Sequence, residues 1–176
     1  MNHFTSIRTI GVLTVIASTA GAQDRRLAIE AAIGLVPPAG IFADRYEAGG
    51  HAAVGLERRN PGSRAGWRVE GTWDDFSPKY GGRTNHARAV GLAANGILTL
   101  TPPRFTAVAL YTIGGFGYYN TRESALFHGT QSDLGWNIGG GLRLPLGRAS
   151  LYLEGRLDGI PIADMYFVPL TLGVAF

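Results

Sequence analysis

Apolar and polar positions alternate along most of the chain with a period of two residues. The last nine positions show this most clearly. One parity holds Val168, Leu170, Leu172, Val174 and Phe176, and the other holds Pro169, Thr171, Gly173 and Ala175. Because side chains alternate across a β-strand, the segment is predicted to be a strand with one strongly apolar face.

The same pattern recurs upstream and predicts eight strands in all. They cover residues 27–36, 51–58, 66–76, 87–100, 105–119, 134–144, 151–158 and 168–176. The fifth is apolar on both parities, so its two faces are not assigned. Each has about the 9–11 residues that are needed to cross a bilayer at a strand tilt near 45°.

The connections between these strands alternate in length. Residues 60–64, 101–104 and 145–149 are short, whereas 37–50, 77–86 and 120–133 are longer, and 160–164 is the exception. This alternation is typical of membrane barrels with short periplasmic turns and longer outer loops. The predicted fold is an all-β, eight-stranded, antiparallel up-and-down transmembrane barrel with both termini in the periplasm.

The strand positions that alternate with the apolar ones carry small residues and charges of both signs. The charged positions are Glu30, Glu57, Arg68, Glu70, Arg143, Glu154 and Arg156. Eight strands leave an interior just wide enough for side chains, where such charges can pair. The apolar parity is therefore predicted to face lipid, and aromatic residues near strand ends are predicted to form interfacial girdles. These are Trp67, Trp73, Tyr118, Tyr119, Trp136, Tyr166 and Phe167. A soluble lipocalin-like binding barrel is the minor alternative.

The start of the chain predicts export. An apolar stretch at residues 10–17 is too short to span a bilayer and is followed by the small-x-small sequence Ala20-Gly21-Ala22. Residues 1–22 are interpreted as a cleaved secretory signal peptide, and 23–176 as the outer-membrane barrel domain. An ordinary N-terminal helix is the alternative.

Composition adds two constraints. The chain has no cysteine, which excludes disulfides and thiolate metal sites, and it has 26 glycines among 176 residues, about twice the usual share of roughly 7%. Lys79 is the only lysine. Soluble β-proteins often use lysine to protect exposed edge strands, which this chain scarcely can.

Four segments of the second half of the chain share a glycine- and aromatic-rich character: Gly114–Tyr119, Gly135–Leu142, Leu151–Arg156 and Val168–Phe176. In these segments the chain resembles the small outer-membrane β-barrel family that includes OmpA-, OmpX- and opacity-type proteins. It implies insertion by the barrel-assembly machinery, with Val168, Leu170, Leu172, Val174 and Phe176 as the assembly signal. It also implies that Glu154 and Arg156 lie in the lumen. The family includes adhesins and structural barrels, so it does not decide function.

Candidate catalytic chemistry is sparse. The glycine-rich run Gly114–Tyr119 is followed by no predicted helix that would present its N-terminus to a phosphate. His51, His86 and His128 map to the outer end of the barrel without the spacing of metal ligands, and are interpreted as solvated histidines. Glu123, Ser124 and His128 are the residue types of a hydrolytic triad but crowd into one loop. No catalytic, cofactor or metal site is predicted.

The lumenal charges have two interpretations: a salt-bridged plug, or a gated path for small solutes. Arg45, Lys79, Arg83 and Arg122 in the outer loops can meet lipopolysaccharide phosphates or form a solvated rim. The sequence favours a monomeric, non-catalytic outer-membrane barrel of structural or surface-interaction type with a mostly plugged lumen. Its partners would be outer-membrane lipid, lipopolysaccharide and the assembly machinery, with no nucleic acid. A lipid-modifying barrel enzyme and a narrow pore are the alternatives.

Overall fold

The chain forms one closed antiparallel sheet. The computed structural model describes residues 27–59, 62–80, 86–101, 108–123 and 130–176. The predicted signal peptide lies outside these residues. In chain order the elements are β1 (Leu27–Val36), β2 (Pro38–Ala39), α1 (Phe42–Arg45), β3 (Gly49–Arg59), β4 (Ala65–Phe76), β5 (Ala87–Thr99), β6 (Ala109–Glu123), β7 (Thr130–Leu146), β8 (Ala149–Ile160), a 3-10 turn (Pro161–Ala163), β9 (Met165–Phe167) and β10 (Leu170–Ala175).

Eight strand positions make up the wall. Each long strand pairs with the next, and β10 pairs with both β1 and β8, which closes the barrel. The short β2 and β9 pair with each other above β1 and β10. β2 continues β1, and β9 precedes β10 in the same line. The ladder is interrupted between them because Pro37 and Pro169 lack the N–H that an unbroken ladder needs. The predicted eight-stranded closed barrel is confirmed.

The apolar parity faces outward. Ile33 on β1 and Leu172 on β10 are direct partners, and they are 71% and 57% exposed. On the opposite parity Glu30 and Arg68 are buried. Leucine and isoleucine side chains are stable at such exposure when hydrocarbon surrounds them. The soluble-barrel alternative does not fit, because it requires the apolar residues inside.

The bounds of two strands, β6 and β7, differ most from the prediction. The fifth long strand, β6, begins at Ala109 rather than residue 105 and continues to Glu123, and β7 begins at Thr130. The predicted loop 120–133 is therefore mostly strand, with outward Asn120 and Ser132 hydrogen-bonded to each other at 3.2 Å. A search for apolar faces misses such ends because their outward residues are polar. The connection 100–108 is correspondingly longer than the predicted turn, and its residues 102–107 lie outside the described chain.

The barrel has two unlike ends, which we call the turn end and the loop end. The described parts of the connections at 62–64, 100–101 and 147–148 lie at the turn end, whereas 37–48, 77–80 and 161–164 lie at the loop end. The first loop-end connection contains β2 and α1, where the sequence predicted only a loop. Within the described residues, no helix is long and apolar enough to cross a membrane.

Candidate functional site in the barrel interior

Arg68 is the centre of an ion-pair layer in the half of the barrel nearer the turn end, which we call the lower layer. Its side chain is 1% exposed, and its guanidinium contacts three carboxylates of this layer and, at 3.6 Å, a fourth, that of Glu70. The distances are 2.6 Å from Nε to Oε2 of Glu30, 3.1 Å from Nη2 to Oε2 of Glu57, and 2.9 Å from Nη1 to Oε2 of Glu154. A buried charge is costly unless it is paired, and here one cation meets a carboxylate on each of three other strands.

Arg143 completes the lower layer. Its Nη2 donates to Oε2 of Glu57 at 2.7 Å and to Oε1 of Glu30 at 3.1 Å. Arg59 also pairs with Glu57 from the turn end. The lower layer therefore contains three carboxylates, with Glu154 as the third, and three guanidinium groups. Its formal charges balance.

Two tyrosines contact the charged groups of the lower layer. The Tyr111 hydroxyl donates to Oε2 of Glu154 at 2.6 Å. The Tyr152 ring faces Arg68 and Arg143, with its centroid 5.1 and 5.4 Å from their guanidinium carbons. Aromatic faces attract cations, so each ring fills space and stabilises a guanidinium at once.

Glycines on the inward parity make room for these rings. A Cβ added at Gly141 would lie 2.7 Å from the Tyr111 ring, and one at Gly173 would overlap the Tyr152 ring. The same applies to a third inward tyrosine, Tyr119, because a Cβ added at Gly135 would lie 2.7 Å from its ring. The high glycine content thus has a local cause: a narrow lumen holds a tyrosine only where a facing wall position has no side chain.

A second polar layer, which we call the upper layer, lies toward the loop end. Arg156 pairs with Glu70, and Asn95 Nδ2 donates to Oε1 of the same carboxylate at 2.9 Å. Asn137 Nδ2 in turn donates to Asn95 Oδ1 at 2.8 Å. Arg156 Nε also lies 3.8 Å from Oδ1 of Asp158. The upper layer links β4, β5, β7 and β8 through side chains alone.

All seven charged residues that the sequence places on the inward parity lie in the interior and contact one another. Sequence reasoning missed other members of the two layers, namely Asn95, Tyr111, Asn137, Tyr152 and Asp158. For Asn95, Asn137, Tyr152 and Asp158 the signal was available, because they share the inward parity of their strands. Tyr111 lies on β6, whose faces the pattern did not distinguish.

The interpretation of His51 as a solvated loop histidine is wrong. It is 3% exposed, faces the lumen, and its Nδ1 lies 2.6 Å from Oδ1 of Asp74. The reason is that β3 begins at Gly49, which places His51 on the inward parity with Ala53. Among the described residues, no three His, Asp or Glu side chains converge as metal ligands. His128, Ser124 and the side chain of Glu123 lie outside the described part of the chain.

An apolar cap closes the loop end above His51 and Asp74. Phe42 of α1 is fully buried, 4.7 Å from the Tyr46 ring and 4.9 Å edge-on to Phe76, measured between centroids. Phe76 in turn lies 5.4 Å from Phe167 of β9. The remaining members pack around these rings: Val36, Ala87, Ala89, Tyr119, Ile160 and Met165. The first loop-end connection therefore folds into the mouth of the barrel.

Two of the predicted girdle aromatics belong to the interior. Tyr119 is buried in the lumen and Phe167 in the cap, because both lie on the inward parity of their strands. Trp67, Trp73 and Tyr118 are exposed on the outward face. Trp136 and Tyr166 are half-buried.

The backbone connections of the first loop hold the cap in place. Glu47 N–H donates to Ser77 O at 2.9 Å, and Lys79 N–H donates to Arg45 O at 2.9 Å. On the other side, Val168 N–H donates to Pro37 O at 2.8 Å. The segment that carries Phe42 is thus fixed to the connections on both sides of it.

Comparisons with known structures support the same architecture. Neisserial surface protein A aligns with a TM-score of 0.65 at 10% identity, covering 85% of this chain and 95% of that one. The N-terminal β-barrel domain of Pseudomonas aeruginosa OprF aligns with a TM-score of 0.53 at 14% identity, covering 88% and 100%. A major outer membrane protein from Thermus thermophilus gives 0.52 at 14% identity, covering 85% and 98%.

At these identities the likeness concerns the fold, which is that of small outer-membrane barrels. No protein-family model matches the chain, and a comparison with curated protein sequences finds no match.

Proposed function

We propose that this protein is an integral outer-membrane β-barrel whose interior is closed and whose role is structural or surface-interacting rather than catalytic. The observation that carries the proposal is that one protein combines an apolar outer surface of the barrel wall with an interior that is filled both in its middle and at its mouth. The lower and upper layers fill the middle of the lumen, and the apolar cap fills its mouth. A wall of this kind requires hydrocarbon around it.

The orientation follows from the connections. The turn end, with both ends of the barrel sequence, faces the periplasm, and the loop end faces outward. Residues 1–22 serve as the cleaved export signal, and the tail from Val168 to Phe176 serves as the signal for the barrel-assembly machinery. The protein acts as a monomer, since every strand of the wall already has two neighbours within the chain.

The contacts in the barrel interior favour a plugged lumen over a conducting path for small solutes. A conducting route needs continuous water, whereas here guanidinium groups bridge carboxylates across the full width of the lumen. An enzyme needs polar groups that turn toward a cleft accessible to substrate. The buried polar side chains of the two layers instead contact one another beneath the apolar cap.

Single-channel recording in planar bilayers tests the closed lumen, with a general porin as the positive control. The purified barrel is expected to insert, as judged by its heat-modifiable migration, without stable openings. Reproducible openings would favour the narrow pore. Mass analysis of lipid A from cells with and without the protein tests the enzyme alternative, and a protein-dependent change in acylation would overturn the non-catalytic assignment.

A further inference from the structure

Two arginines lie side by side on the outward surface of the wall at the loop end. Arg88 on β5 and Arg122 on β6 are direct partners in the antiparallel pairing. Both side chains are exposed on the outward parity. Like charges directly opposite each other on one face of a sheet destabilise the pair. An anion in contact with both guanidinium groups would remove that repulsion.

The neighbouring strands supply only part of the compensating charge. Asp75 on β4 contacts Arg88, with Oδ1 3.4 Å from both Nε and Nη2. On the other side, the residue opposite Arg122 is Thr130 on β7, which offers a hydroxyl. Within the described chain, no carboxylate forms an ion pair with Arg122. Asp75, Arg88, Arg122 and Thr130 thus form a row across β4 to β7. This row has one negative and two positive side chains, so its net charge is positive.

The depth of this row matches that of a lipid headgroup. Toward the barrel middle, the next outward residue after Arg88 is Val90, and Tyr118 lies two outward positions below Arg122. The Trp73 ring packs against Arg88, with its centroid 5.4 Å from the guanidinium carbon. Tryptophan and tyrosine concentrate where hydrocarbon meets headgroups, so the guanidinium groups lie just above that boundary.

We propose that Arg88 and Arg122 bind a phosphate of a phosphorylated glycolipid, lipid A, in the outer leaflet. The proposal rests on the membrane orientation given under the proposed function. Guanidinium groups bind phosphate through paired, charge-assisted hydrogen bonds, and two adjacent forks can hold one phosphate between them. The Thr130 hydroxyl is placed to act as a further donor. The site lies on the wall rather than in the loops, so the lipid itself packs its acyl chains against Val90 and Tyr118.

Binding of fluorescent lipid A to the reconstituted barrel tests the site. The barrel and its variants are inserted into phosphatidylcholine vesicles, and lipid A is compared with its dephosphorylated form. The double variant Arg88→Gln/Arg122→Gln should weaken lipid A binding by about tenfold, equivalent to the loss of about one good charge-assisted contact. The matched control is Arg58→Gln, which removes an exposed, outward arginine at the turn end. It should bind as the wild type does.

The outcomes separate this proposal from the one on which it rests. Failure of the wild-type barrel to insert into vesicles would contradict the proposed function. Insertion of all variants with equal lipid A binding by wild type and double variant would overturn the phosphate site alone. Equal binding of phosphorylated and dephosphorylated lipid by the wild type would overturn it as well. A selective loss in the double variant, limited to the phosphorylated lipid, would support it.

Discussion

Arg68 and Glu154 meet across the full diameter of the barrel, with Nη1 2.9 Å from Oε2. Arg68 lies on β4 and Glu154 on β8, and four strand pairings separate these strands in either direction around the wall. The pair Arg143–Glu57 spans the barrel in the same way between β7 and β3. The two pairs tie opposite sides of the sheet together, so the lower layer holds the cross-section of the barrel as well as filling it.

Removal of Arg68 should be strongly destabilising. Arg68→Gln leaves Glu30, Glu57 and Glu154 close together without their common cation, and breaking a buried ion pair from one side costs about 3–5 kcal/mol. We expect the urea midpoint for loss of the folded, heat-modifiable band to fall accordingly. Arg58→Gln is the control, since it removes an arginine on the outward face. If the two variants unfold at the same urea concentration, the lower layer does not stabilise the barrel.

The apolar cap should protect the His51–Asp74 pair from solvent. Phe42→Ala removes the ring that packs on Tyr46 and Phe76, and truncating a buried phenylalanine costs about 3–5 kcal/mol. We expect the cap to open locally and His51 to become reactive toward diethyl pyrocarbonate, as measured by mass spectrometry. Ile41→Ala changes an exposed neighbour in the same connection and should leave His51 unreactive. Equal modification of His51 in wild type and Phe42→Ala would contradict a closed mouth.

Gly115 should tolerate no side chain. An added Cβ would overlap the carbonyl oxygen of Ala94 and the side-chain oxygen of Asn95, and the backbone carbonyl cannot move without disturbing the β5–β6 ladder. Gly115→Ala is expected to lower the free energy of unfolding by about 1–3 kcal/mol.

The control is Gly96→Ala on the neighbouring strand, where the nearest atom to an added Cβ is the Gly114 oxygen at 3.8 Å. Because alanine orders the unfolded chain more than glycine does, this variant should be neutral or stabilised by up to about 1 kcal/mol. Equal urea midpoints for the two alanine variants would show that close packing at Gly115 is unimportant.

The terminal phenylalanine should matter for assembly rather than for the final pairing. Phe176 and Ile29 exchange backbone hydrogen bonds of 2.9 and 3.1 Å, which Phe176→Ala would retain. If the side chain is the assembly signal, the variant should accumulate less folded barrel in the outer membrane, as measured by heat-modifiable migration. Leu27→Ala removes an exposed apolar side chain at the same end and should accumulate normally. Wild-type amounts of the folded Phe176→Ala barrel would refute the signal.

The alternation of apolar and polar residues along the strands predicted most of what the sequence could reveal about the fold. It indicated eight strands, the outward apolar face and the seven inward charges, because a period of two constrains every residue of a strand at once. It failed for β6, where both parities are apolar. There the inward Tyr111 and Ile113 pack in the lumen, and the outward Phe116 and Tyr118 face the surroundings. Only the pairing of β6 with β5 and β7 resolves this.

The cap was not predictable from periodicity. Phe42 and Tyr46 lie in a connection without alternation, and their burial depends on contacts with Phe76 and Phe167, which are distant in sequence. The same limit applies to which charges pair. A strand pattern places Arg68 and Glu154 inside, but the shear of the closed barrel determines that they meet.

The closure of β10 on both β1 and β8 has a consequence for biogenesis. The first and last strands are neighbours, so a fragment that lacks either of them has two open edges and no enclosed axis to receive Arg68 or Arg143. The wall can therefore close only once β10 is present to pair with both β1 and β8, and the ion pairs across the lumen depend on that closure.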